Sequence, residues 1–464
     1  MGTCFSGKAR ARIIPALHSA LKKNQDSVIE PKRIPRSEHS ISRSQFTSAV
    51  VKTLYTLRDA GFEAYVVGGG VRDLLAGLKP KDFDIATNAH PEQIRRLFRS
   101  CRLVGRRFLI AHVRWGEEVL EVTTFRGPIT EEHERDETGR ILSDNQYGTL
   151  EQDAFRRDFT INALYYDIRD YSVVDFTGGL DDLQHRLLRL ICEPEQRYRE
   201  DPVRMIRAVR IANKLGFHLE EATAEPIHRL SHLLAEIPPA RLFDEVIKVL
   251  QAPEAVANFR WLRNLGLFAQ LFPRSDEMLH EAGALAFVEA ALESTAARMR
   301  AEQPVSPAFL YAALLWPAVA ERYEELSTKQ GQHPNVAIAQ ASEEVLAQAV
   351  TRIAIPKRFS FPMREIWQLQ PRFETRSGGR AKRMISHPRF RAAYDFLLLR
   401  AQCGEAPQEL ADWWTAAQTG AEAPRVPEGM LDETPDAPVR KKRRRRRGGR
   451  NRGGPGSPVS APSE

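Results

Sequence analysis

The feature that most constrains this chain is a run of three glycines, 68–70, that precedes two closely spaced aspartates. The glycines follow an apolar, β-rich run at 64–67, and Arg72 and Asp73 come directly after them. Glycines after a strand let backbone N–H groups approach an anion closely, and the N-terminus of a following helix favours the same charge. The segment therefore predicts a strand, a phosphate-binding turn and a helix, with Arg72 placed to neutralise a triphosphate.

The two aspartates lie in an alternating segment that predicts a strand over 82–86. Residues two apart on a strand point to the same face, so Asp82 and Asp84 would lie side by side while Phe83 and Ile85 face the core. Two close carboxylates repel each other unless a cation holds both. Mg²⁺ binds carboxylates and substrate phosphates, and a pair of such ions can activate an attacking oxygen. The alternative is a glycine turn beside a surface aspartate pair that binds no ligand.

A third carboxylate would complete a two-metal site, and the sequence offers two. Glu121 lies between apolar residues in a predicted strand at 119–125, which follows another at 108–115 across a turn at Gly116 and Glu117. Asp158 lies in the polar run 156–162. Either residue also has a structural alternative, because a strand-edge Glu and a charged surface helix are both common.

A further cluster begins at Asp201 and Pro202, which predict a helix start with a capping acid and Pro at the first position. Asp201, Arg204 and Arg207 are three apart and share one face of that helix. An aspartate only accepts hydrogen bonds and an arginine only donates them. Asp201 and Arg204 could therefore read the edge of a nucleobase, or simply form a cap and an ion pair.

Charge is distributed unevenly along the 464 residues. The formal net charge is +8, yet ten positive charges fall within 440–452, which leaves −2 for the rest. This pattern predicts a polyanion-binding arm, and the alternatives are a tail that serves solubility or expression and a nucleolar-type signal. Its longest run of consecutive arginines has five members: Arg443, Arg444, Arg445, Arg446 and Arg447.

Composition narrows the class of protein. Apolar residues make up 42% of the chain, an ordinary globular share. No apolar run reaches the length of a transmembrane helix, and four scattered cysteines without a CxxC pair suggest neither zinc binding nor a disulfide scaffold. These features favour a cytoplasmic protein.

The order of predicted elements indicates an α+β protein with several domains. We expect a flexible lead at 1–40, a mixed α/β head at 41–180, a helical neck at 181–250, a helical body at 251–415, and a disordered linker and basic tail at 416–464. A helix is predicted after Ser44, and further helices at 91–98, 284–299 and 307–315. Aromatic residues at 390 and 394 have helical spacing, which favours core packing over base stacking.

These motifs together resemble the class II template-independent nucleotidyltransferases of the DNA polymerase beta superfamily. The matching segments, in chain order, are 68–73, 82–84, 121–126, 156–163 and 200–204. The family includes tRNA CCA-adding enzymes and bacterial poly(A) polymerases. Segments 34–43, 103–113, 355–359 and 367–373, together with the basic tail, are similar to the polymerases.

The resemblance implies a polymerase-beta-like head that transfers AMP from ATP to an RNA 3′ hydroxyl and releases pyrophosphate. Asp82 and Asp84 would hold Mg²⁺ or Mn²⁺, and Asp158 or Glu121 would join them as catalytic acids. The implied nucleotide-binding residues are Gly68, Gly69, Gly70, Arg72, Asp73, Arg126, Arg157, Asn162, Asp201 and Arg204. Asp158 could equally orient Arg157. The charged stretch 127–143 would be a mobile loop.

Further expectations concern partners and rival functions. RNA 3′ ends and ATP are the expected partners, with the RNA-decay machinery as a further one. The rival functions are a CCA-adding enzyme, which would stop after adding C and A, and a non-catalytic RNA-binding protein. Retention of Asp82, Asp84 and Arg72 speaks against the non-catalytic alternative, because RNA binding alone does not require adjacent metal-binding carboxylates.

Overall fold

The computed structural model describes residues 30–105, 108–128, 146–376 and 378–419. The predicted lead before residue 30, most of the predicted loop 127–143, and the tail with Arg443–Arg447 lie outside the described residues. In the described part of the chain, no helix is both long and apolar enough to cross a membrane.

The head is built on one mixed sheet of eight strands. These are β1 (Lys32–Ile34), β2 (Ala64–Val67), β3 (Asp84–Thr87), β4 (Cys101–Val104), β5 (Ile110–Trp115), β6 (Glu118–Thr124), β7 (Leu164–Asp167) and β8 (Val173–Asp175). Their order across the sheet is β1-β8-β7-β2-β3-β6-β5-β4. Strand β3 pairs antiparallel with β2 and parallel with β6, so the predicted acidic strand occupies the middle of the sheet.

Short helices cover both faces of this sheet. They are α1 (Ser48–Asp59), α2 (Gly69–Leu75), α3 (Pro91–Leu97), α4 (Leu150–Arg156) and α5 (Gly179–Gln184). Alternation along β2 supplies both cores: Val66 packs in the cluster with Leu54 of α1, whereas Tyr65 and Val67 pack in the cluster with Ala154 of α4.

Three boundaries in the head differ from the sequence predictions. The expected flexible lead is ordered from residue 30, because β1 pairs with β8 and buries Ile34. Helix α1 begins at Ser48 with Thr47 as its cap, after a buried Phe46. Strand β3 begins at Asp84, because β2 ends opposite it at Val67, and the chain before Asp84 has no neighbouring strand with which to pair.

The rest of the described chain is helical, as predicted, apart from one short parallel pair, β9 (Leu187–Leu188) with β10 (His218–Leu219). The first helices are α6 (Pro194–Glu200), α7 (Val203–Leu215), α8 (Glu221–Leu230), α9 (Pro239–Leu250), α10 (Ala255–Asn264), α11 (Leu267–Leu271) and α12 (Pro273–Met278). They are followed by α13 (Ala282–Arg300), α14 (Pro307–Glu324), α15 (Pro334–Arg352), α16 (Lys357–Leu369), α17 (Gly378–Ile385), α18 (Phe390–Gln402) and α19 (Gln408–Thr419). The α+β class with a mixed head and a helical body is thus confirmed.

The helical core extends into the head. Phe159 and Ile161 belong to the same buried cluster as Tyr198 of α6 and Met205 of α7. The backbone N–H of Thr160 also donates to the carbonyl of Arg189 at 3.0 Å. The polar run 156–162 is therefore fixed between head and neck. Farther along the chain, Phe390 and Tyr394 are buried, in agreement with the predicted core packing.

Candidate active site

The glycine turn between β2 and α2 lies beside a guanidinium group and a carboxylate. Gly68 has φ 76° and ψ −138°, a conformation that glycine adopts readily and other residues rarely do. A methyl group at Gly68 would lie 3.5 Å from Nη1 of Arg157 and 3.6 Å from Oδ2 of Asp84. At Gly70 it would lie 2.8 Å from the ring of Phe83, so this position has no room for a side chain. The turn therefore brings backbone, cation and carboxylate into contact range.

The acidic centre lies on two neighbouring parallel strands. Asp84 is the first residue of β3 and stands in register with Glu121 of β6. Burial raises the pKa of Asp84, and the nearby charges of Glu121 and Asp82 raise it further. The carboxylates thus repel each other, which is the condition that a bound cation would relieve. No group of three or more His, Cys, Asp or Glu side chains within the described ranges is arranged as a complete metal cage.

Asp82 is placed differently from the sequence prediction. Asp82 precedes β3 and is exposed, whereas Asp84 is the first residue of the strand and is half-buried, so the predicted strand start at Asp82 is wrong. Asp82 nevertheless lies close enough for its charge to affect the pKa of Asp84.

Arg157 is positioned by a buried acid that the sequence analysis did not single out. Asp153 Oδ2 accepts hydrogen bonds from Arg157 Nη2 at 3.0 Å and from the Tyr165 hydroxyl at 2.7 Å. Its Oδ1 accepts from the backbone N–H of Arg126 at 3.1 Å. Burial alone would raise the pKa of Asp153, but Arg157, Arg126 and Tyr165 lower it to about 2. The spacing of Asp153 and Arg157, four apart on a helix, was the signal for this pair.

Asp158 belongs to a separate cluster. Its Oδ2 accepts from Arg207 Nε at 2.9 Å, and its Oδ1 accepts from Asn162 Nδ2 and from the backbone N–H of Phe159, both at 2.9 Å. Although burial opposes ionisation, Arg207 and these donors hold the pKa of Asp158 well below its usual value. Both oxygens are thus engaged, and the alternative that Asp158 orients Arg157 is wrong: it orients Arg207.

The side chain of Arg72 is held inside the protein, behind the glycine turn. It is 5% exposed, and Nε and Nη2 donate to Asp73 Oδ1 at 2.9 and 2.6 Å while Nη1 donates to Asn162 at 2.7 Å. Asp73 in turn accepts from Lys214 of α7 at 2.6 Å. A methyl group at Gly69 would lie 3.5 Å from Arg72 Nη2. Arg72 and Asp73 thus form a bonded group behind the glycine turn that reaches the neck through Lys214. Their role in nucleotide binding stays a prediction.

The predicted base-reading pair lies where the helices α6 and α7 meet. Asp201 ends α6 instead of capping α7, and its Oδ2 accepts from Arg241 of α9 at 2.7 Å. Arg204 Nη1 donates to the Arg197 carbonyl at 2.6 Å and to Glu200 at 3.2 Å. The expected cap is thus wrong, because Arg241 draws the carboxylate of Asp201 away from the helix start.

A cavity of about 200 Å³ joins these parts. We call it the arginine cavity; it is lined by Arg126, Arg156, Arg157, Asp158, Asp201, Arg204, Arg207 and Arg241. Six arginines against two aspartates give it an excess of positive charge, which suits a phosphorylated ligand. Five of the predicted site residues meet here, and Arg157 connects the cavity to Gly68 and Asp84. Arg241 carried no sequence signal, since it is distant in the chain and lies in an ordinary amphipathic helix.

Three family models match parts of this chain. The family described as "Poly A polymerase head domain" matches residues 64–189. "Probable RNA and SrmB- binding site of polymerase A" matches 216–279, and "Polymerase A arginine-rich C-terminus" matches 330–450.

Curated relatives extend the match to most of the chain. The chain is 49% identical to poly(A) polymerase I of Salmonella typhimurium, over 88% of this chain and 90% of that protein. It is 47% identical to poly(A) polymerase I of Escherichia coli O157:H7, with the same coverage. A CCA-adding enzyme of Lactobacillus helveticus is 40% identical but covers only 45% of this chain and 51% of its own length.

Solved structures share the fold. The CCA-adding enzyme of Bacillus stearothermophilus in complex with CTP has a TM-score of 0.52 and 28% identity, over 82% of this chain and 83% of its own. The extent and identity of the polymerase matches, which span both the head and the helical part, decide between the two kinds of enzyme. The chain belongs to the bacterial poly(A) polymerase I family of nucleotidyltransferases.

Proposed function

We propose that this chain transfers AMP from ATP to the 3′ hydroxyl of RNA, without a template, and releases pyrophosphate. The observation that carries the proposal is the in-register pair of Asp84 and Glu121 beside the glycine turn, next to the arginine cavity. An acidic pair adjoining a cationic cavity is what phosphoryl transfer from a metal-bound triphosphate requires.

The acidic residues fit a divalent cation. We assign Asp82 and Asp84 to Mg²⁺ or Mn²⁺ and Glu121 as the third acid, in preference to Asp158 with its fully engaged oxygens. The raised pKa of Asp84, caused by burial and by its acidic neighbours, supports this assignment. Mg²⁺ commonly uses one or two carboxylates and completes its shell with water and substrate phosphates. When bound, such ions would activate the attacking hydroxyl and stabilise the leaving pyrophosphate.

The arginine cavity would hold the nucleotide. Arg157 and Arg126, both fixed by Asp153, would face the phosphates and ribose. Asp201, Arg204 and Arg241 would present acceptors and donors to the base. The ion pair between Asp201 and Arg241 supports this role, because it fixes the direction of the carboxylate before a base arrives.

The glycine turn would be held in place from the neck. Lys214 donates a hydrogen bond to Asp73, which also accepts from Arg72. Arg72 donates to Asn162, and Asn162 and Arg207 both donate to Asp158. We assign Arg72, Asp73 and Asn162 as positioning residues. Gly68, Gly69 and Gly70 would present backbone N–H groups to the triphosphate.

We also propose a cytoplasmic location. The free Cys101, Cys192 and Cys403 suit a reducing compartment. The basic tail with Arg443–Arg447 would add sequence-tolerant contacts to RNA phosphates. A partner in the RNA-decay machinery follows from family resemblance alone and stays a prediction.

The length and composition of the product test the proposal. Labelled generic RNA and a tRNA that lacks its 3′ end are each incubated with the protein and Mg²⁺, first with each nucleotide alone and then with CTP and ATP together. Long ladders on generic RNA with ATP alone would support the proposal. Addition limited to C and A on the tRNA would favour the CCA-adding alternative, and no addition to either would favour an RNA-binding protein.

A further inference from the structure

The first turns of α16 expose an aromatic ring on the surface of the helical body. Phe361 is 53% exposed, the largest exposure of any aromatic side chain in the described ranges. Its neighbours on the inner side of the helix, Ser360 and Met363, are buried. The ring therefore contributes little to the core, and its outer surface is available to a partner.

Three cations share the helix face of Phe361. Lys357, Arg358 and Arg364 lie four before, three before and three after it, which is the spacing of neighbours on a helix. The guanidinium carbon of Arg364 lies 4.8 Å from the centre of the Phe361 ring. Arg364 also pairs with Glu343, whereas Lys357 and Arg358 form no ion pair with any described carboxylate. The guanidinium carbon of Arg358 lies 4.8 Å from the centre of the Phe359 ring, so this cation is held on the same helix while its charge, like that of Lys357, is not neutralised by a described carboxylate.

This face begins near the arginine cavity. The backbone N–H of Ala354, just before α16, donates to the carbonyl of Pro239 at 3.2 Å. The rings of Phe359 and Phe243 stack with their centres 5.8 Å apart. Arg241, which lines the cavity, lies between Pro239 and Phe243 on α9. Lys357 is three residues from Ala354, so the chain places it within about 11 Å of that contact.

We propose that Lys357, Arg358, Phe361 and Arg364 form a platform for single-stranded RNA upstream of the 3′ end. A base would stack on Phe361, while Lys357 and Arg358 bind the flanking phosphates. Aromatic rings with flanking cations bind single strands with little sequence preference, since every base has a π face. A polymerase that extends arbitrary 3′ ends needs contacts of this kind. The inference rests on the proposed function, because RNA is its substrate there.

Binding of a labelled single-stranded RNA 15-mer to the full chain tests the platform. Fluorescence anisotropy is measured without ATP and with a chelator, so that no chemistry occurs. Phe361→Ala should weaken binding roughly 5- to 100-fold, the effect of losing one stacked base, and Phe361→Trp should preserve it. Lys357→Gln with Arg358→Gln should reduce the salt slope by about 1.4 in magnitude, roughly 0.7 for each phosphate contact.

The matched control is Val336→Ala, which changes another exposed apolar residue, 57% exposed, on α15. It should leave RNA affinity unchanged. In steady state, Phe361→Ala should raise KM for RNA while kcat and KM for ATP stay constant. Equal affinities of Phe361→Ala and the unsubstituted protein would overturn the platform. Failure of the unsubstituted protein to add AMP would refute the proposed function instead, and the binding comparison would still decide the platform.

Discussion

At the scale of single residues, the acids of the site differ in the direction in which their surroundings shift the carboxyl pKa. Burial and neighbouring acids raise the pKa of Asp84, whereas arginines lower those of Asp153 and Asp158 despite their burial. A carboxylate close to other carboxylates is suited to binding a metal ion. A carboxylate whose oxygens accept hydrogen bonds from arginines is suited to positioning those arginines. Asp158 is of the second kind, which is why we propose Glu121 and not Asp158 as the third catalytic acid.

Replacing Asp84 by Ala should lower AMP transfer at least about a thousandfold, because loss of a metal carboxylate removes several kcal/mol of charge stabilisation. RNA affinity, measured separately, should stay near that of the unsubstituted protein. Asp59→Ala is the control, since that exposed acid pairs only with its neighbour Arg58. Normal turnover by the Asp84 variant would show that the metal site is assigned wrongly.

The two remaining acids should respond differently to magnesium. Glu121→Gln should lower kcat and shift the activation curve to higher Mg²⁺ concentration, because it removes a negative charge beside Asp84. Asp158→Asn should destabilise the protein by about 1–3 kcal/mol, since Arg207 loses its charged partner, and leave the shape of the Mg²⁺ curve unchanged. Titration of single-turnover rates with Mg²⁺ distinguishes them, and the reverse result would exchange their roles.

Asp153 should make the head sensitive to acid. Its pKa of about 2 lies below the ordinary value of 3.8, so its contribution is complete above pH 4 and is lost as the pH falls toward 2. The shift corresponds to about 2 kcal/mol at neutral pH. Asp153→Asn should lower the urea midpoint of the head at pH 7 and reduce its dependence on pH between 4 and 2. Hydrogen exchange in peptides that contain β7 reports this midpoint, and equal midpoints at pH 7 would contradict the prediction.

At the scale of elements, the site depends on where β2 ends. The strand stops at Val67, the chain turns at Gly68, and Asp84 therefore becomes the first paired residue of β3. Parallel pairing with β6 then places Glu121 beside it. The acidic centre is therefore positioned by the turn at Gly68, by the end of β2 and by the register between β3 and β6.

Gly68→Ala should reduce AMP transfer about 10- to 100-fold, because a displacement of about 1 Å at a reacting centre has effects of that size. The positive φ would be strained by any side chain, and because the added methyl group would touch Asp84 and Arg157, a backbone shift that relieves the strain would displace them. Gly61→Ala is the matched control: φ is +85° there too, but the methyl group would meet nothing within 4 Å. It should lower stability by about 1 kcal/mol and leave kcat unchanged. Similar losses of kcat in both variants would mean that strain alone is responsible.

Local sequence signals predicted most elements of the fold and five of the residues that line the arginine cavity. The periodicity of apolar residues, together with Gly and Pro at the ends of segments, predicted the glycine turn, the strand with Glu121 and the helices of the body. These signals did not predict where β3 begins, because its first residue is determined by pairing with β2. Asp201 was expected to cap α7, but Arg241, from a later helix, holds its carboxylate. Nothing in the sequence indicated that Asp73 and Asn162 hold Arg72 inside the protein. Long-range ion pairs of this kind are not visible in one sequence.

At the scale of the whole molecule, RNA affinity should divide between the body and the tail. Deletion of 440–464 should weaken RNA binding and flatten its salt dependence, since ten positive charges are lost and each phosphate contact contributes about 0.7 to the slope. Single-turnover chemistry at saturating RNA should persist, because the arginine cavity is unchanged. Deletion of 453–464 alone keeps the basic residues and serves as the control. An unaltered slope after the longer deletion would remove the tail from RNA binding.

The ion pairs between head and neck also determine where related chains can be recombined. Asp73 and Asp158 lie in the head, whereas their partners Lys214 and Arg207 lie on α7. A chimaera with its crossover near residue 180 would join acids from one parent to an unrelated helix from the other, and buried carboxylates would lose their charged partners. A crossover after Leu215, where α7 ends, keeps these two pairs within one parent but separates Asp201 from Arg241. A crossover after Leu250, where α9 ends, keeps all three pairs together. A functional chimaera should therefore take the head and the first helices of the neck from the same parent.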